Sequence, residues 1–214
     1  MDLMQLTGKN IVVMGVANER SIAWGIAKKL FEVGANVIFT YRKERSKGKI
    51  EKLLVGYEDH NTAVFECDVN SDESIEKAFT LIGEQYKVIH GIVHSVAFAH
   101  AEDLHNRFVE TTREGYAFAQ DTSAYSLIAV TKAAKPYMTE GGSVVTMTYV
   151  GAERVLDGYN VMGVAKAALE ASMRYLAADV GADNIRVNAI SAGAIRTLAA
   201  KGVPSFNQIL HKIE

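Results

Sequence analysis

The chain has 214 residues, of which 49% are hydrophobic and 22% charged, and its formal net charge at pH 7 is −2. These values predict one globular domain and argue against nucleic acid as the main partner, because a phosphate-binding surface normally shows a basic excess. The single cysteine, Cys67, excludes an intrachain disulfide and a cysteine-based metal site. We expect a cytoplasmic protein without a membrane anchor, since no signal-peptide pattern occurs and no stretch approaches about 18 uninterrupted apolar residues.

Short β-branched runs alternate with longer helical patterns along the chain. The runs predict strands at 10–14, 36–41, 63–67, 91–94, 143–147 and 185–190. The helical patterns lie at 72–86, 113–135 and 159–180, together with a first helix that Ser21 would cap and Gly34 would close. The strand runs lack polar alternation, as parallel strands buried on both faces do. We therefore predict a single doubly wound α/β domain of Rossmann type over residues 1–214, with a parallel sheet of about six strands.

In such a fold the ligand lies beyond the carboxyl ends of the strands, so the residues that follow each strand are the candidates for a site. The first strand is followed by a small-residue turn from Gly15 to Ser21 that opens a helix but lacks the usual G-x-G-x-x-G. Gly15 and Ala17 would let the backbone approach a pyrophosphate at the helix start. A tight turn without a ligand explains the same residues equally well.

The second strand is followed by basic residues, where a site selective for NAD usually has an acidic residue against the ribose 2′-hydroxyl. Arg42 and Lys43 would neutralise a 2′-phosphate, which favours NADPH over NADH. The alternative is a solvated loop of ordinary charges.

The third and fourth strands also end in residues that suit a dinucleotide. Asp68 and Val69 are placed for contacts with adenine, and the small residues from Ser95 to Ala99 would lie beneath a ribose and nicotinamide. Asp68 as a simple helix cap and the small residues as packing remain open alternatives.

The strongest combination joins the end of the fifth strand to the start of the next helix. Tyr149 ends the strand, and Lys166 lies seven positions beyond Tyr159. Seven residues at roughly 100° each come within about 20° of two turns, so both side chains project from one helix face about 10 Å apart. The lysine would hold ribose hydroxyls and favour negative charge, while the Tyr159 hydroxyl would bind substrate. A tyrosine and lysine at this spacing are also common on amphipathic helices.

Taken together, these motifs resemble the bacterial-type enoyl-[acyl-carrier-protein] reductases, divergent members of the short-chain dehydrogenase/reductase family. The resemblance runs from about Thr7 to Glu214 and includes a Tyr-x6-Lys motif, whereas ordinary family members use Tyr-x3-Lys and the residue four beyond Tyr159 is Gly163. The remaining motifs are Gly15-Val16-Ala17-Asn18, Ser21-Ile22-Ala23, the segment from Tyr159 to Ala167, the segment from Ile185 to Gly193, and Ile195-Arg196-Thr197-Leu198.

The resemblance implies an NAD(P)H-dependent reduction of the trans-2 double bond of an enoyl thioester in fatty acid biosynthesis. It implies Tyr149, Tyr159 and Lys166 as the catalytic residues, Ala99 and Phe206 as substrate-binding residues, acyl carrier protein as partner and a homotetramer. The dinucleotide contacts that it and the basic run imply are Gly15, Ser21, Ile22, Arg42, Lys43, Glu44, Arg45, Ser46, Asp68, Val69, Val96, Lys166, Ile195, Arg196, Thr197, Leu198 and Ala199. The basic run from Arg42 to Ser46 resembles family members that prefer NADPH.

Residues 195–213 are expected to cover the substrate, since apolar residues there suit an acyl chain while Gly202 and Pro204 interrupt the helical pattern. The sequence departs from the family in having Ala194 where proline is usual. It also ends at Glu214, before the family's further helix and last strand. We therefore expect the family's last strand to be missing from the sheet.

Other classes of function find less support. His90 and His94 would lie about 13 Å apart on a strand, too far to share a metal ion, so we expect structural roles and no metal. No G-x-S-x-G or G-x-x-x-x-G-K-[ST] motif is present. Two alternatives remain at this point: a ketoacyl reductase or alcohol dehydrogenase of the same broad family, and a catalytically silent dinucleotide-binding or oligomerising protein.

Overall fold

The computed structural model describes residues 5–198 and 200–202. Its centre is a parallel six-stranded sheet in the order β3-β2-β1-β4-β5-β6. The strands are β1 (Asn10–Met14), β2 (Asn36–Tyr41), β3 (Thr62–Glu66), β4 (Gly91–His94), β5 (Gly142–Thr148) and β6 (Ile185–Ser191). The doubly wound fold and the six strands are thus confirmed, with each strand within one residue of its predicted bounds.

Seven α-helices occur in the described part of the chain. They are α1 (Ile22–Glu32), α2 (Glu44–Leu53), α3 (Asp72–Tyr86), α4 (Ala101–His105), α5 (Arg113–Gln120), α6 (Ser126–Ala134) and α7 (Asn160–Val180). Neither α2 nor α4 was predicted from the sequence. Both are short and charged, and each gains its apolar contacts from other elements, through Ile50 in α2 and Leu104 in α4.

The core has two main layers, one on each face of the sheet. Along β1, Ile11 and Val13 face the layer that contains α1 and α2, whereas Val12 and Met14 face the layer that contains α3, α6 and α7. Because successive residues of a strand point to opposite faces, a run that is apolar throughout must be covered on both sides. The uninterrupted apolar runs therefore specified a sheet between two helical layers.

The residues at the two ends of α1 can be compared with the predicted caps. Gly34, predicted to close the helix, has a φ of +75°, and the amides of Gly34 and Ala35 return to the carbonyls of Phe31 and Leu30. Ser21 occupies the N-cap position but makes no side-chain cap hydrogen bond. Ser21 is thus the N-cap residue, as predicted, but its hydroxyl accepts hydrogen bonds from the amides of the preceding turn and leaves the amides of α1 uncapped.

The helix predicted over 113–135 is continuous in the structure but contains a π-helical turn. A π-helical turn at Asp121–Tyr125 joins α5 to α6. Such turns insert one residue into an α-helix and are frequent at functional sites. Local periodicity predicted the helix but gave no sign of the inserted residue.

Candidate functional site

The site is built at the carboxyl ends of β1, β4 and β5, which are adjacent in the sheet. Gly15 follows β1 with a φ of +91°, and a Cβ at this position would overlap the carbonyl oxygen of Ser95, directly after β4. A side chain is therefore excluded by both backbone conformation and space. The close approach of the two strand ends requires glycine here.

Ser21 fixes the turn that leads into α1. Its hydroxyl accepts hydrogen bonds from the amides of Ala17 and Asn18, each at 3.0 Å, while the Asn18 side chain accepts one from the amide of Arg20. These bonds hold the turn in a compact form next to the helix N-terminus. Backbone N–H groups at such a terminus favour an anion.

Arg42 and Asp68, two predicted cofactor-binding residues, are paired with each other in the structure. The Nε of Arg42 lies 3.1 Å from Oδ2 of Asp68, which joins the ends of β2 and β3. The other Asp68 oxygen accepts from the amide of Asn70. The possible cap role of Asp68 is taken instead by Ser71, which accepts from the amide of Ser74 at the start of α3.

The remaining residues of the basic run begin α2. Lys43 is its N-cap, and Glu44, Arg45 and Ser46 form its first turn. The basic run from Arg42 to Ser46 therefore lies beside the Arg42–Asp68 pair, at the carboxyl end of β2. The predicted contact with a 2′-phosphate requires this position.

Lys166 is buried, and its ammonium donates a hydrogen bond to the carbonyl oxygen of Met147 at 2.7 Å. Burial lowers the pKa of Lys166 to about 8, and the negative charge of Glu170 acts in the opposite direction. Glu170 lies one helical turn further along α7 and accepts a hydrogen bond of 2.6 Å from the Thr148 hydroxyl. Lys166 is thus linked directly to β5, and Glu170 ties the same helix to the end of that strand.

Tyr149 and Tyr159 contact each other edge to face, with ring centroids 5.4 Å apart and planes at 71°. Burial raises the pKa of both hydroxyls, so each stays protonated at neutral pH. The Tyr149 hydroxyl is buried and, within the described part of the chain, is among three buried side-chain polar atoms without a hydrogen-bond partner. An unsatisfied buried hydroxyl beside a second tyrosine is a group available to a ligand.

Glycines determine how Tyr159 is held. A Cβ on Gly151 would overlap the Tyr159 ring, and a Cβ on Gly163 would lie 2.8 Å from the Gly151 carbonyl oxygen. Position 163 is where a Tyr-x3-Lys motif would place its lysine. The close backbone contact excludes a side chain at position 163, and with it the lysine of a Tyr-x3-Lys motif.

The predicted substrate residue Ala99 packs with Tyr159 against one small apolar cluster. Its buried members are Leu104, Ala119, Val161, Met162 and Ala165. Val96, predicted to contact the cofactor, is partly buried against the large core layer. Ala99 and Tyr159 therefore border the same apolar cluster.

His94, at the end of β4, is fully buried and hydrogen-bonds Thr146 on β5 and Ser126 on α6, at 3.0 and 2.9 Å. The Ser126 hydroxyl donates its proton to the Thr122 carbonyl, so it must accept one from His94 Nε2. Burial, reinforced by the charge of Lys166, lowers the pKa of His94 to about 3. His94 is a neutral structural residue, and the described residues contain no group of three His, Cys, Asp or Glu side chains that could hold a metal.

The segment after β6 lies beside the start of α1. Ile195 lines, together with Ser21 and Ile22, a groove of about 570 Å³ along α1. The side chains of Ile195 and Leu198 are about half exposed, and the Thr197 hydroxyl accepts a hydrogen bond from the amide of Ala200. Ala199 and Phe206, and with them most of the predicted covering segment, lie outside the described residues.

The doubly wound sheet, the small-residue turn after β1 and the Tyr-x6-Lys arrangement on α7 define the class of the molecule: an oxidoreductase of the short-chain dehydrogenase/reductase type. A family model described as Enoyl-(Acyl carrier protein) reductase matches residues 15–214. The chain belongs to the enoyl-(acyl carrier protein) reductase family.

Known proteins of this family are similar over almost the whole chain. Enoyl-[acyl-carrier-protein] reductase [NADH] FabI of Bacillus subtilis is 56% identical over 98% of this chain and 81% of its own length. The [NADPH] enzyme FabI of Staphylococcus aureus strain MRSA252 is 55% identical over 99% of this chain and 83% of its own length. The crystal structure of the Bacillus cereus reductase with NADP+ and indole naphthyridinone superposes with a TM-score of 0.94 at 54% identity, covering 97% of this chain and 81% of that one.

Among the described residues, no helix combines the length and the apolar character needed to cross a membrane.

Proposed function

We propose that this chain, an enoyl-(acyl carrier protein) reductase, reduces the trans-2 double bond of an enoyl thioester with NAD(P)H in fatty acid biosynthesis. One observation carries the assignment of the site: Tyr149, whose buried hydroxyl has no hydrogen-bond partner, packs edge to face with Tyr159 directly after the strand that accepts the Lys166 hydrogen bond. The proposal rests on the family membership for the reaction and on this geometry for the residues.

The residues at the strand ends fit a nicotinamide dinucleotide. Gly15 removes the side chain that would block a close approach, and Ser21 orders the turn at the start of α1. The residues that would hold the pyrophosphate, adenosine and nicotinamide ribose are then the first amides of α1, the Arg42–Asp68 pair and Lys166. When bound, the reduced nicotinamide supplies a hydride.

The side chains of the site are suited to the charge that hydride addition creates. Addition of hydride to the β-carbon leaves negative charge on the thioester oxygen, as an enolate, and a proton added at the α-carbon gives the saturated thioester. Tyr159, kept protonated by its raised pKa, donates a hydrogen bond to that oxygen. Lys166 supplies positive charge nearby, and Tyr149 shapes the site around the thioester.

Steady-state assays with crotonyl thioester test these roles. We expect Tyr159→Phe and Lys166→Ala to lower kcat/KM by two orders of magnitude or more, because each removes a group that acts on developing charge. Tyr175→Phe is the matched control: Tyr175 lies on the same helix, is 81% exposed, and should behave as wild type. Near wild-type turnover by Tyr159→Phe would contradict the assignment of its hydroxyl.

Product analysis separates the proposed reaction from its alternatives. The wild-type chain should convert the enoyl thioester to the saturated product and leave a ketoacyl thioester unchanged. A hydroxyacyl product would indicate a carbonyl reductase, and cofactor binding without any turnover would indicate a silent dinucleotide-binding protein.

We also propose NADPH as the preferred cofactor, acyl carrier protein as the carrier of the substrate, a homotetrameric assembly and a cytoplasmic location. Similar relatives named for NADH and for NADPH both exist, so the cofactor preference rests on the basic residues after β2. Assembly is supported by exposed apolar side chains on the helices around α7. The cytoplasmic location is supported by the lone cysteine, Cys67, since a chain with one cysteine has no intrachain disulfide.

A further inference from the structure

Asn160 follows Tyr159 directly and is the first residue of α7, yet its backbone is left-handed. Its φ is +39°, one of four positive values among the described residues other than glycine. Asparagine tolerates this region better than most residues, but a helix start does not ordinarily need it. Something outside α7 must hold the residue in this conformation.

The Asn160 side chain holds the end of α4. Its Nδ2 donates hydrogen bonds to the carbonyl oxygens of Leu104, at 3.0 Å, and Asn106, at 2.9 Å. These carbonyls lie at the C-terminal end of α4, where a helix leaves its last carbonyl groups without partners. One carboxamide of α7 therefore caps a helix that lies 54 residues earlier in the sequence.

The helix that Asn160 caps cannot maintain its own position. α4 has only five residues, too few for stability in isolation. Besides the Asn160 bonds, it is attached through Leu104, which is buried in the cluster with Val161 and Met162, and through the Asp103 carboxylate, which packs against Gly115. Ala99, two residues before α4, and Tyr159 border the same cluster.

We propose that Asn160 is a positioning residue for the acyl substrate. Asn160 attaches the end of α4 to the residue after Tyr159. It thereby sets the distance between Ala99, on one side of the acyl pocket, and the Tyr159 hydroxyl. Without these two hydrogen bonds, α4 samples positions in which the enoyl chain does not bind. The apparent affinity for the enoyl substrate then falls in proportion to the fraction of molecules that can still bind it. The inference rests on the proposed roles of Ala99 and Tyr159.

Two substitutions test the proposal. Asn160→Gly accepts a positive φ and removes both hydrogen bonds, while Asn160→Asp keeps the size of the side chain but at neutral pH has no proton to donate. For both variants we expect the KM for crotonyl thioester to rise about tenfold, as the loss of two neutral hydrogen bonds predicts. The Kd for the cofactor should stay within twofold of wild type, and hydrogen exchange at residues 101–106 should become faster.

Asn184→Gly is the matched control. Asn184 is also an asparagine with positive φ, at +61°, but it lies between α7 and β6, away from the site. Its substitution should change neither KM nor exchange in α4. A wild-type KM in Asn160→Gly, or a parallel loss of cofactor and substrate affinity in both Asn160 variants, would overturn the proposal. An inactive wild-type chain would instead refute the function on which it rests.

Discussion

Lys166 keeps its ammonium in a buried position, and the surrounding charges determine the pH range in which it stays protonated. Burial lowers its pKa and Glu170 raises it, with the balance at about 8. His94, the other titratable group close to Lys166, is neutral above pH of about 3 and adds no titration near neutrality. The positive charge is thus present below about pH 8 and lost above it.

We predict that kcat/KM falls as the pH rises above about 8, because deprotonated Lys166 no longer favours negative charge on the substrate oxygen. Glu170→Gln should move this decline to lower pH, since the carboxylate raises the pKa of Lys166, while the amide oxygen still accepts from Thr148. A pH–rate profile measures the shift. Asp179→Asn, at an exposed position on the same helix, is the control, and an unchanged decline in Glu170→Gln would contradict the prediction.

The predicted preference for NADPH over NADH depends on Arg42. Its guanidinium is held by Asp68 through Nε, which leaves its other N–H groups for a 2′-phosphate. Losing a hydrogen bond to a charged group costs about 1.5 to 3 kcal/mol, so Arg42→Ala should weaken NADPH about tenfold or more and barely change NADH. Titrations of both cofactors, with Lys52→Ala in the last turn of α2 as control, test this. Equal weakening of both cofactors would make Arg42 a general scaffold residue.

At the scale of elements, the junction of β5 with α7 determines where the site residues stand. The backbone contact between Gly151 and Gly163 brings the turn after β5 against α7, and Tyr159 packs on Gly151. A lysine at position 163 cannot fit this junction, so the charged residue must come from further along the helix. The close packing of these two elements therefore excludes the Tyr-x3-Lys spacing.

The prediction at this scale concerns residues 195–213, which are expected to cover the substrate. Its apolar pattern suits an acyl chain, and Gly202 and Pro204 weaken its helical propensity. We expect rapid hydrogen exchange in this segment in the free chain and slow exchange with cofactor and substrate bound. The helix α3, whose inner face is buried in the core, provides the internal reference. Strong protection without ligands would instead indicate a fixed structural helix.

At the scale of the whole molecule, the helical layer that contains α6 and α7 exposes large apolar side chains. Tyr116, Tyr125 and Ile128 lie on the continuous α5–π–α6 helix, which packs beside α7. Exposed aromatic residues clustered on one layer are typical of a surface that contacts another protein. This layer supports the proposed homotetramer.

We predict that light scattering after size exclusion shows a tetramer for the wild-type chain. Tyr125→Glu or Ile128→Glu should give smaller species, because either places a charge in the apolar contact. Val55→Glu is the control, since Val55 is 73% exposed but lies just after α2, in the opposite layer. A tetramer that survives both substitutions would exclude this surface as the interface.

The sequence by itself determined the sheet, its two helical layers and the identity of the candidate site residues. Uninterrupted apolar runs specify parallel strands buried on both faces, and residues directly after parallel strands must meet at one edge. This rule and the helical spacing make Tyr149, Tyr159 and Lys166 candidates, and the resemblance to the reductase family implies their catalytic roles. These are consequences of local patterns, which involve residues close together in the chain.

Only the tertiary structure decided which of these residues hold one another. Three sets of hydrogen bonds join residues between 26 and 56 positions apart. They are the Arg42–Asp68 pair, the bonds of His94 to Thr146 and Ser126, and the bonds of Asn160 to the end of α4. The hydroxyl of Ser21 likewise binds the turn before it instead of capping the helix after it. Hydrogen bonds of this kind depend on the distance and direction of side chains in the folded state, and local sequence periodicity carries no information about either.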